Sequence, residues 1–330
     1  MPAFSPSGYG LPMNILVTGG AGFIGSHFVE RCLALGHHPT VLDDFNDYYD
    51  PAIKRANLAA VLGRAEVCEA DIRDEAAVQK IVRKGRFDII VHLAARAGVR
   101  PSITHPKLYL ETNITGTFNL LEAARQTEVP RFICASSSSV YGLIKEVPFR
   151  EDMCLNQTIS PYAASKLACE QLCSNYAHLY QMRAICLRFF TVYGPRQRPD
   201  LAIHSFTRSI DEGKPIKQFG DGSTRRDYTY IDDIIQGVEA CLSFEGPLYD
   251  VFNLGENQTT TLRDLIASIE HAVGRKAIIE RFPEQPGDVP LTCADISKAQ
   301  AALGYRPQTK IVEGIPKFVE WYRARQRSAA

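Results

Sequence analysis

Tyr162 and Lys166, in the run YAASK, stand four residues apart and share one face of any helix that contains them. A tyrosine hydroxyl in water ionises near pH 10 and is a poor base at neutral pH. A neighbouring ammonium group favours its ionised form, and a positively charged nicotinamide ring would do the same. Such a tyrosine can take a proton from an alcohol while hydride leaves the same carbon. Tyr and Lys at this spacing also occur on ordinary amphipathic helices, so the pair needs support. Ser136-Ser137-Ser138-Ser139 supplies it, because the run ends an apolar, strand-like segment and offers hydroxyls to a bound substrate.

A hydride acceptor needs its own site. Gly19, Gly22 and Gly25 form a GxxGxxG turn, with Phe23 and Ile24 inside it, directly after Asn14-Ile15-Leu16-Val17-Thr18. Glycines there permit a tight turn and let a pyrophosphate approach the backbone at a helix N-terminus. Asp43 ends the next strand, 18 residues after Gly25. A carboxylate at that place accepts the ribose hydroxyls of an adenosine and repels a 2′-phosphate. The sequence shows no Arg or Lys close to Asp43, so NAD is expected over NADP. Asp71 and Ile72 follow the third strand, at reach of an adenine. Leu93, Ala94 and Ala95 follow the fourth and are small enough for a cofactor to lie against the backbone.

These positions require a particular scaffold. Strands read at 14–18, 39–42, 65–68, 88–92, 131–135 and 183–188. Helical patterns fill the gaps, beginning with 23–35 and including long ones at 107–126 and 162–180. Apolar strands alternating with helices imply a doubly wound parallel sheet of Rossmann type, with its ligand site at the carboxyl ends of the strands. After Tyr193-Gly194-Pro195 the prolines and glycines become denser and the helices shorter, which suggests a smaller α/β substrate lobe. The expected division is a cofactor domain over 13–190 and 227–255 and a lobe over 191–226 and 256–330. The helix at 232–242 and strand at 250–254 return to the first domain. Residues 1–12 read as a disordered lead-in.

Composition narrows the class. The 330 residues carry 37 Lys+Arg and 37 Asp+Glu, so no broad nucleic-acid or acidic-membrane surface is expected. No apolar stretch is long enough to span a bilayer, and the start lacks the basic and apolar regions of a signal peptide. The nine cysteines are odd in number and show no CxxC pair, which points to a reducing cytoplasm. Cys169 and Cys173 have a spacing that suits a metal, but two small residues on a helix face explain them, and no metal is expected. His27, His92 and His204 lack partners at ligand spacing and read as structural.

TGGAGFIGSH, HLAA, SSSSVYG, YAASK and LRFFTVYGP together resemble the extended short-chain dehydrogenase/reductases. Within them, FNDYYDPAIKRANL, AARAGVRPSI, TVYGPRQRPD, RRDYTYIDD and QPGDVP resemble UDP-glucuronate 4-epimerases, over about residues 14–325. The resemblance implies Tyr162 as general base, Lys166 as its tuner and ribose anchor, and Ser137, three residues before Val140, as the hydroxyl that shares the proton. Ser136 and Asn113 would stand at the cofactor, and Ser138 and Thr191 at the substrate. Arg226 and Asp288 match residues that hold the UDP phosphate and ribose. Gln285 stands where neutral-hexose epimerases carry Arg. Hexose 4,6-dehydratases carry an Asp-Glu pair at positions 138 and 139, and uronate decarboxylases a Glu at 139. Both positions are serine here, which leaves 4-epimerisation.

The resemblance further implies a two-fold dimer built on helices 107–126 and 162–180. A 4-keto uronate is a β-keto acid, so its carboxylate needs a firm grip against decarboxylation. Arg198 is the expected clamp, with Arg196 and Arg100 as competitors. Two other readings stay open: a 4-epimerase of neutral UDP-hexoses, and an NAD-binding regulator without chemistry.

Overall fold

The computed structural model describes residues 11–284 and 289–329. The first half runs β1 (Asn14–Thr18), α1 (Phe23–Ala34), β2 (His38–Asp43), α2 (Pro51–Asn57), β3 (Glu66–Glu69), α3 (Glu75–Gly85) and β4 (Ile89–His92). It continues through α4 (Val99–Thr104), α5 (Pro106–Tyr109), α6 (Gly116–Gln126), β5 (Arg131–Ser137), α7 (Pro161–Tyr180) and β6 (Arg183–Phe189). The second half holds β7 (Thr191–Tyr193), α8 (Ala202–Asp211), β8 (Pro215–Phe219), β9 (Arg225–Arg226), β10 (Tyr228–Tyr230) and α9 (Ile231–Ala240). After it come β11 (Tyr249–Leu254), β12 (Thr260–Thr261), α10 (Leu262–Val273), β13 (Ile278–Phe282), α11 (Ser297–Leu303) and α12 (Ile311–Ala329).

Seven parallel strands form one sheet in the order β3-β2-β1-β4-β5-β6-β11. The chain reverses its direction of winding between β1 and β4, the place where an open α/β sheet leaves a crevice. Alternate residues of the inner strands enter two apolar layers, as a period of two demands. Ile15, Val17, Ile89 and Val91 enter one layer, and Leu16 and Ile90 enter the other. The first layer also takes Ile231, Leu265 and Phe318, so the C-terminal segments pack on the same core. Three two-stranded sheets, β7 with β10, β8 with β13 and β9 with β12, build the C-terminal part. Among the described residues no helix is long and apolar enough to cross a membrane.

Two expected helices differ in detail from the sequence reading. The stretch 107–126 is interrupted by a π-helical turn at Leu110–Thr115 between α5 and α6. A π turn frees a carbonyl from the helical ladder. Here the Asn113 carbonyl accepts from the Gly116 N–H and also from the Thr117 hydroxyl at 2.5 Å and the Cys169 thiol at 3.3 Å. α7 starts one residue early, at Pro161, because Ser160 caps it by accepting from the Ala163 N–H at 3.1 Å. Residues 1–10 of the expected lead-in lie outside the described residues.

His92 at the end of β4 is fully buried between Thr18 Oγ1 at 2.7 Å and Thr117 Oγ1 at 2.9 Å. Burial pushes its pKa down to about 4. An unfolded histidine binds its proton near pH 6.5, so between those values only the unfolded chain is protonated there. Stability is therefore expected to fall as pH drops from about 6.5 through 4, by on the order of 3 kcal/mol. His92→Gln keeps polar atoms between the two threonines and does not titrate. Urea midpoints across this range should fall less steeply in the variant; equal slopes would remove His92 from the effect.

Candidate active site

A cleft of about 340 Å³ opens over the carboxyl ends of β1, β4 and β5. Its floor is the turn after β1. Gly19 has φ +68°, and a Cβ there would lie 2.7 Å from the Ala94 backbone nitrogen. A Cβ on Gly25 would lie 2.1 Å from the Gly19 oxygen. A side chain at Gly19 would push the turn away from the Leu93–Ala94 segment after β4, and one at Gly25 would collide with the turn's own backbone, so both are glycine. Gly22 caps α1 without a side-chain acceptor, so no side chain covers the first-turn amides. Phe23, Ile24, Ile72, Leu93, Ala94 and Ala95 line the cleft with the glycines.

Asp43 closes one end. Its carboxylate is buried and accepts from the Ala21 and Phe45 N–H groups at 3.2 and 3.0 Å. Burial raises its pKa, against the pull of Lys54. Lys54 overturns the expectation that no basic residue stands near Asp43: its Nζ lies 3.2 Å from Asp43 and 3.6 Å from Asp44. The sequence hides this pair because eleven residues separate its members. Asp50 and Pro51 start α2 so that its second turn brings Lys54 back to the strand end.

Tyr162, Lys166 and Ser137 line the opposite end of the same cleft. Lys166 is buried and donates to the Ala135 carbonyl at 2.7 Å. Ser137 caps the short 3-10 turn Ser138–Tyr141 and accepts from the Ser139 N–H at 3.2 Å and its hydroxyl at 3.0 Å. Pleating turns the adjacent Ser136 hydroxyl away: it donates to Glu170 Oε1 at 2.5 Å, although Ser136 lines the cleft. Glu170 also takes a two-pronged pair from Arg188, at 2.9 and 2.8 Å, with both side chains at most 5% exposed.

Arg198 and Thr191 line the cleft as well. The Arg198 guanidinium donates through Nε and Nη2 to Asp200 at 3.0 and 2.9 Å, and stands 5.2 Å from the centre of the Tyr48 ring. Burial opposes its charge, yet the bonds to Asp200 keep its pKa above the ordinary arginine value. The Tyr48 and Tyr109 hydroxyls both donate to the Ala97 carbonyl, at 3.1 and 3.0 Å. The Tyr109 ring meets the Tyr162 ring edge-on at 6.1 Å. Arg196 lies elsewhere, bonded to Glu30 at 2.6 Å and Ser26 at 3.3 Å.

Several expected contacts fall outside the cleft. Asn113 clamps the Arg96 backbone from both sides, at 2.8 and 3.0 Å, and donates to Ser165 at 2.9 Å. It fastens the segment after β4 to α7 instead of lining the cofactor space, because the π turn aims it there. Asp71 is held by Arg73 at its backbone and guanidinium, while the neighbouring Ala70 and Ile72 face the cleft. Ser138 begins the 3-10 turn and is not among the cleft residues. Arg100 and Arg226 line a second cavity of about 640 Å³ with Asp200, Phe219, Thr224 and Tyr228. Asp200 lines this cavity while its partner Arg198 lines the first, so the two spaces meet at that ion pair. Asp288 and Gln285 lie outside the described residues.

His27 and His204 bond to the Pro195 and Gln197 carbonyls, at 2.9 and 2.7 Å. The suspected metal pair resolves differently. Cys173 joins Cys134 and Cys186, all buried, with sulfurs within 4.8 Å of one another, while Cys169 faces Asn113 and Thr117. That trio sits in the apolar layer and does not line the cleft.

Residues 16–318 match the family described as GDP-mannose 4,6 dehydratase. The chain belongs to that family of extended short-chain dehydrogenase/reductases. A UDP-glucuronate 4-epimerase of Arabidopsis thaliana is 42% identical over 94% of this chain and 75% of the relative. A probable UDP-glucuronate 4-epimerase of Rhizobium meliloti is 37% identical over 96% of this chain and 99% of its own length. The crystal structure of a Bacillus cereus UDP-glucuronic acid 4-epimerase, in complex with UDP-glucuronic acid and NAD, superposes with a TM-score of 0.89. It is 36% identical and covers 94% of this chain and 99% of its own.

The dehydratase-family fold explains why the glycine turn, Asp43 and the Tyr162–Lys166 pair share one cleft. Lys54 and Tyr48 are residues there that the sequence did not single out. Removal of the ammonium in Lys54→Met leaves a buried carboxylate without its cation, a loss of about 3–5 kcal/mol. The variant is expected to lose thermal stability and to retain less nicotinamide nucleotide through purification, read by chromatography after denaturation. Wild-type nucleotide content and melting temperature together would show that Asp43 does not depend on Lys54.

Proposed function

We propose that this protein is an NAD-dependent 4-epimerase that interconverts UDP-glucuronate and UDP-galacturonate through a 4-keto intermediate. One observation carries the reading: Arg198 and Thr191 line the same cleft as Tyr162 and Ser137. A carboxylate-binding guanidinium thus faces the space where an alcohol would be oxidised. The similar 4-epimerases named above agree with it. Ser138 and Ser139 stand where a dehydratase or decarboxylase would need acidic groups, so the matched family's name does not fix the reaction.

The cleft suits NAD. The Gly19–Ala94 approach gives room for a pyrophosphate, and the buried Asp43 gives acceptors for ribose hydroxyls. Bound NAD supplies a hydride acceptor that returns the hydride later. Tyr162 takes the proton of the sugar 4-hydroxyl, with Ser137 sharing it. Lys166 adds positive charge beside Tyr162 and holds the nicotinamide ribose. The 4-keto sugar then turns its other face to the same groups, and Tyr162 returns the proton. Arg198 and Thr191 hold the carboxylate so that the bond to carbon dioxide stays out of line with the ketone π system. The second cavity, with Arg100 and Arg226, receives the uridine diphosphate.

We further assign a homodimer to the surface of α6 and α7, where Phe118, Leu179 and Tyr180, with Leu110 on the π turn before α6, are exposed apolar side chains. A reducing compartment such as the cytoplasm suits the nine cysteines, all free.

Purified protein incubated with UDP-glucuronate and no added NAD is expected to form UDP-galacturonate, followed by proton NMR. A UDP-pentose product would replace the reading with decarboxylation, and conversion of UDP-glucose alone would replace it with a neutral-sugar epimerase. Tyr162→Phe should lower turnover by roughly 10²–10⁴-fold, the usual share of a general base. Arg198→Ala should lower kcat/KM for the uronate by roughly 10- to 150-fold, the value of a charged hydrogen bond. Unchanged turnover in the Arg198 variant would remove it from the carboxylate.

A further inference from the structure

Arg198 meets a carboxylate before any substrate arrives. Asp200 takes its Nε and Nη2 edge in a side-on pair, at 3.0 and 2.9 Å. Nη1 has no acceptor among the described residues, so the outer Nη1–Nη2 edge is the one left for a ligand. The plane of the fork is set from a third direction by Tyr48, whose ring stands 5.2 Å from Arg198 and 5.6 Å from Arg96. Tyr48 is itself tied to the Ala97 carbonyl.

This arrangement does two things. A guanidinium held on its Nε–Nη2 edge can offer a two-pronged grip only through the adjoining Nη1–Nη2 edge, which fixes the direction of the grip. Its positive charge is also shared with an internal anion, so a second carboxylate is held by geometry more than by net charge. Epimerisation needs both properties. The carboxylate must be oriented during each hydride transfer. It must also be released between the two transfers, because the ring has to present both faces to one Tyr162.

Resting on the 4-epimerase reading, we propose that Asp200 is a positioning residue for Arg198: it presents the outer guanidinium edge to the substrate carboxylate and keeps that contact releasable. Without the Asp200 charge the uronate binds more tightly and turns more slowly. Ground-state binding then rises while kcat falls.

Asp200→Asn tests this in the full-length protein with its retained cofactor. The Asp200 side chain is 41% exposed, so the amide is accommodated. The expected result is a severalfold lower KM for UDP-glucuronate and a kcat lower by about tenfold. Reduced nicotinamide should accumulate in the steady state above the wild-type level, seen by its absorbance, because the sugar is oxidised and waits to turn. A purely structural role would lower kcat/KM through a raised KM with no such accumulation, and that outcome overturns the proposal. Wild-type values of kcat and KM overturn it too. Wild-type protein assayed alongside separates the two ideas: if it fails to convert UDP-glucuronate, the epimerase reading falls and this one with it. If it converts the sugar and the variant matches it, only the role of Asp200 falls.

Discussion

The buried pair between Glu170 and Arg188 ties the chemistry to the sheet. Glu170 lies two turns along α7 from Tyr162 and one turn from Lys166, and Arg188 lies near the end of β6. Charges with at most 5% exposure stand only if their bonds are satisfied. Here Glu170 accepts from Ser136 and twice from Arg188. Arg188 also donates to the Tyr141 hydroxyl at 3.0 Å, which in turn donates to Asn253 on β11 at 2.7 Å. One polar network therefore fixes α7 against β5, β6 and β11 together. Because Ser136 and Ser137 are consecutive, anchoring the first on one side of β5 aims the second into the cleft. The placement of Ser137 relative to Tyr162 is thus set by buried bonds between α7 and the sheet.

A second tier of contacts lies above the sheet. The Ala97 carbonyl receives both Tyr48 and Tyr109. Tyr109 leans on Tyr162, and Tyr48 lies under Arg198. The segment that holds this carbonyl is itself clamped at Arg96 by Asn113. Tyr162 and the Arg198 guanidinium, from distant parts of the chain, are thereby referred to one backbone oxygen. The π turn is the device that allows it, since an uninterrupted α-helix would rotate the Asn113 side chain away from Arg96.

The strand positions, the glycine turn and the Tyr162–Lys166 pair were legible in the sequence because each rests on local pattern. Apolar runs of strand length fixed six of the seven parallel strands to within about two residues at each end, and β11 was expected at 250–254. Contacts that depend on long-range meeting were not legible. Lys54 reaches Asp43 only through the geometry of α2, and Asn113 turns from the cleft only through the π turn. Ser136 and Asp71 show a subtler limit. Both sit at strand ends beside the cofactor space, but their side chains are taken by Glu170 and Arg73. Position along the chain gave the right neighbourhood, while pleat and pairing decided the direction.

The contest between Arg196 and Arg198 illustrates what the fold adds to a motif. Two residues apart in RQRPD, they are equivalent on charge alone. Arg196 has φ +67°, and this left-handed turn sends it back to Glu30 on α1. The reversal leaves Arg198 on the cleft side, where Asp200 and Tyr48 fix its plane. A strained residue is tolerated when its surroundings over-determine it, and the Glu30 and Ser26 bonds do that here. Arg196 thus bends the loop and Arg198 lines the cleft. Which of the two guanidinium groups reaches the cleft consequently depends on backbone torsion at Arg196, whose own side chain is held at α1.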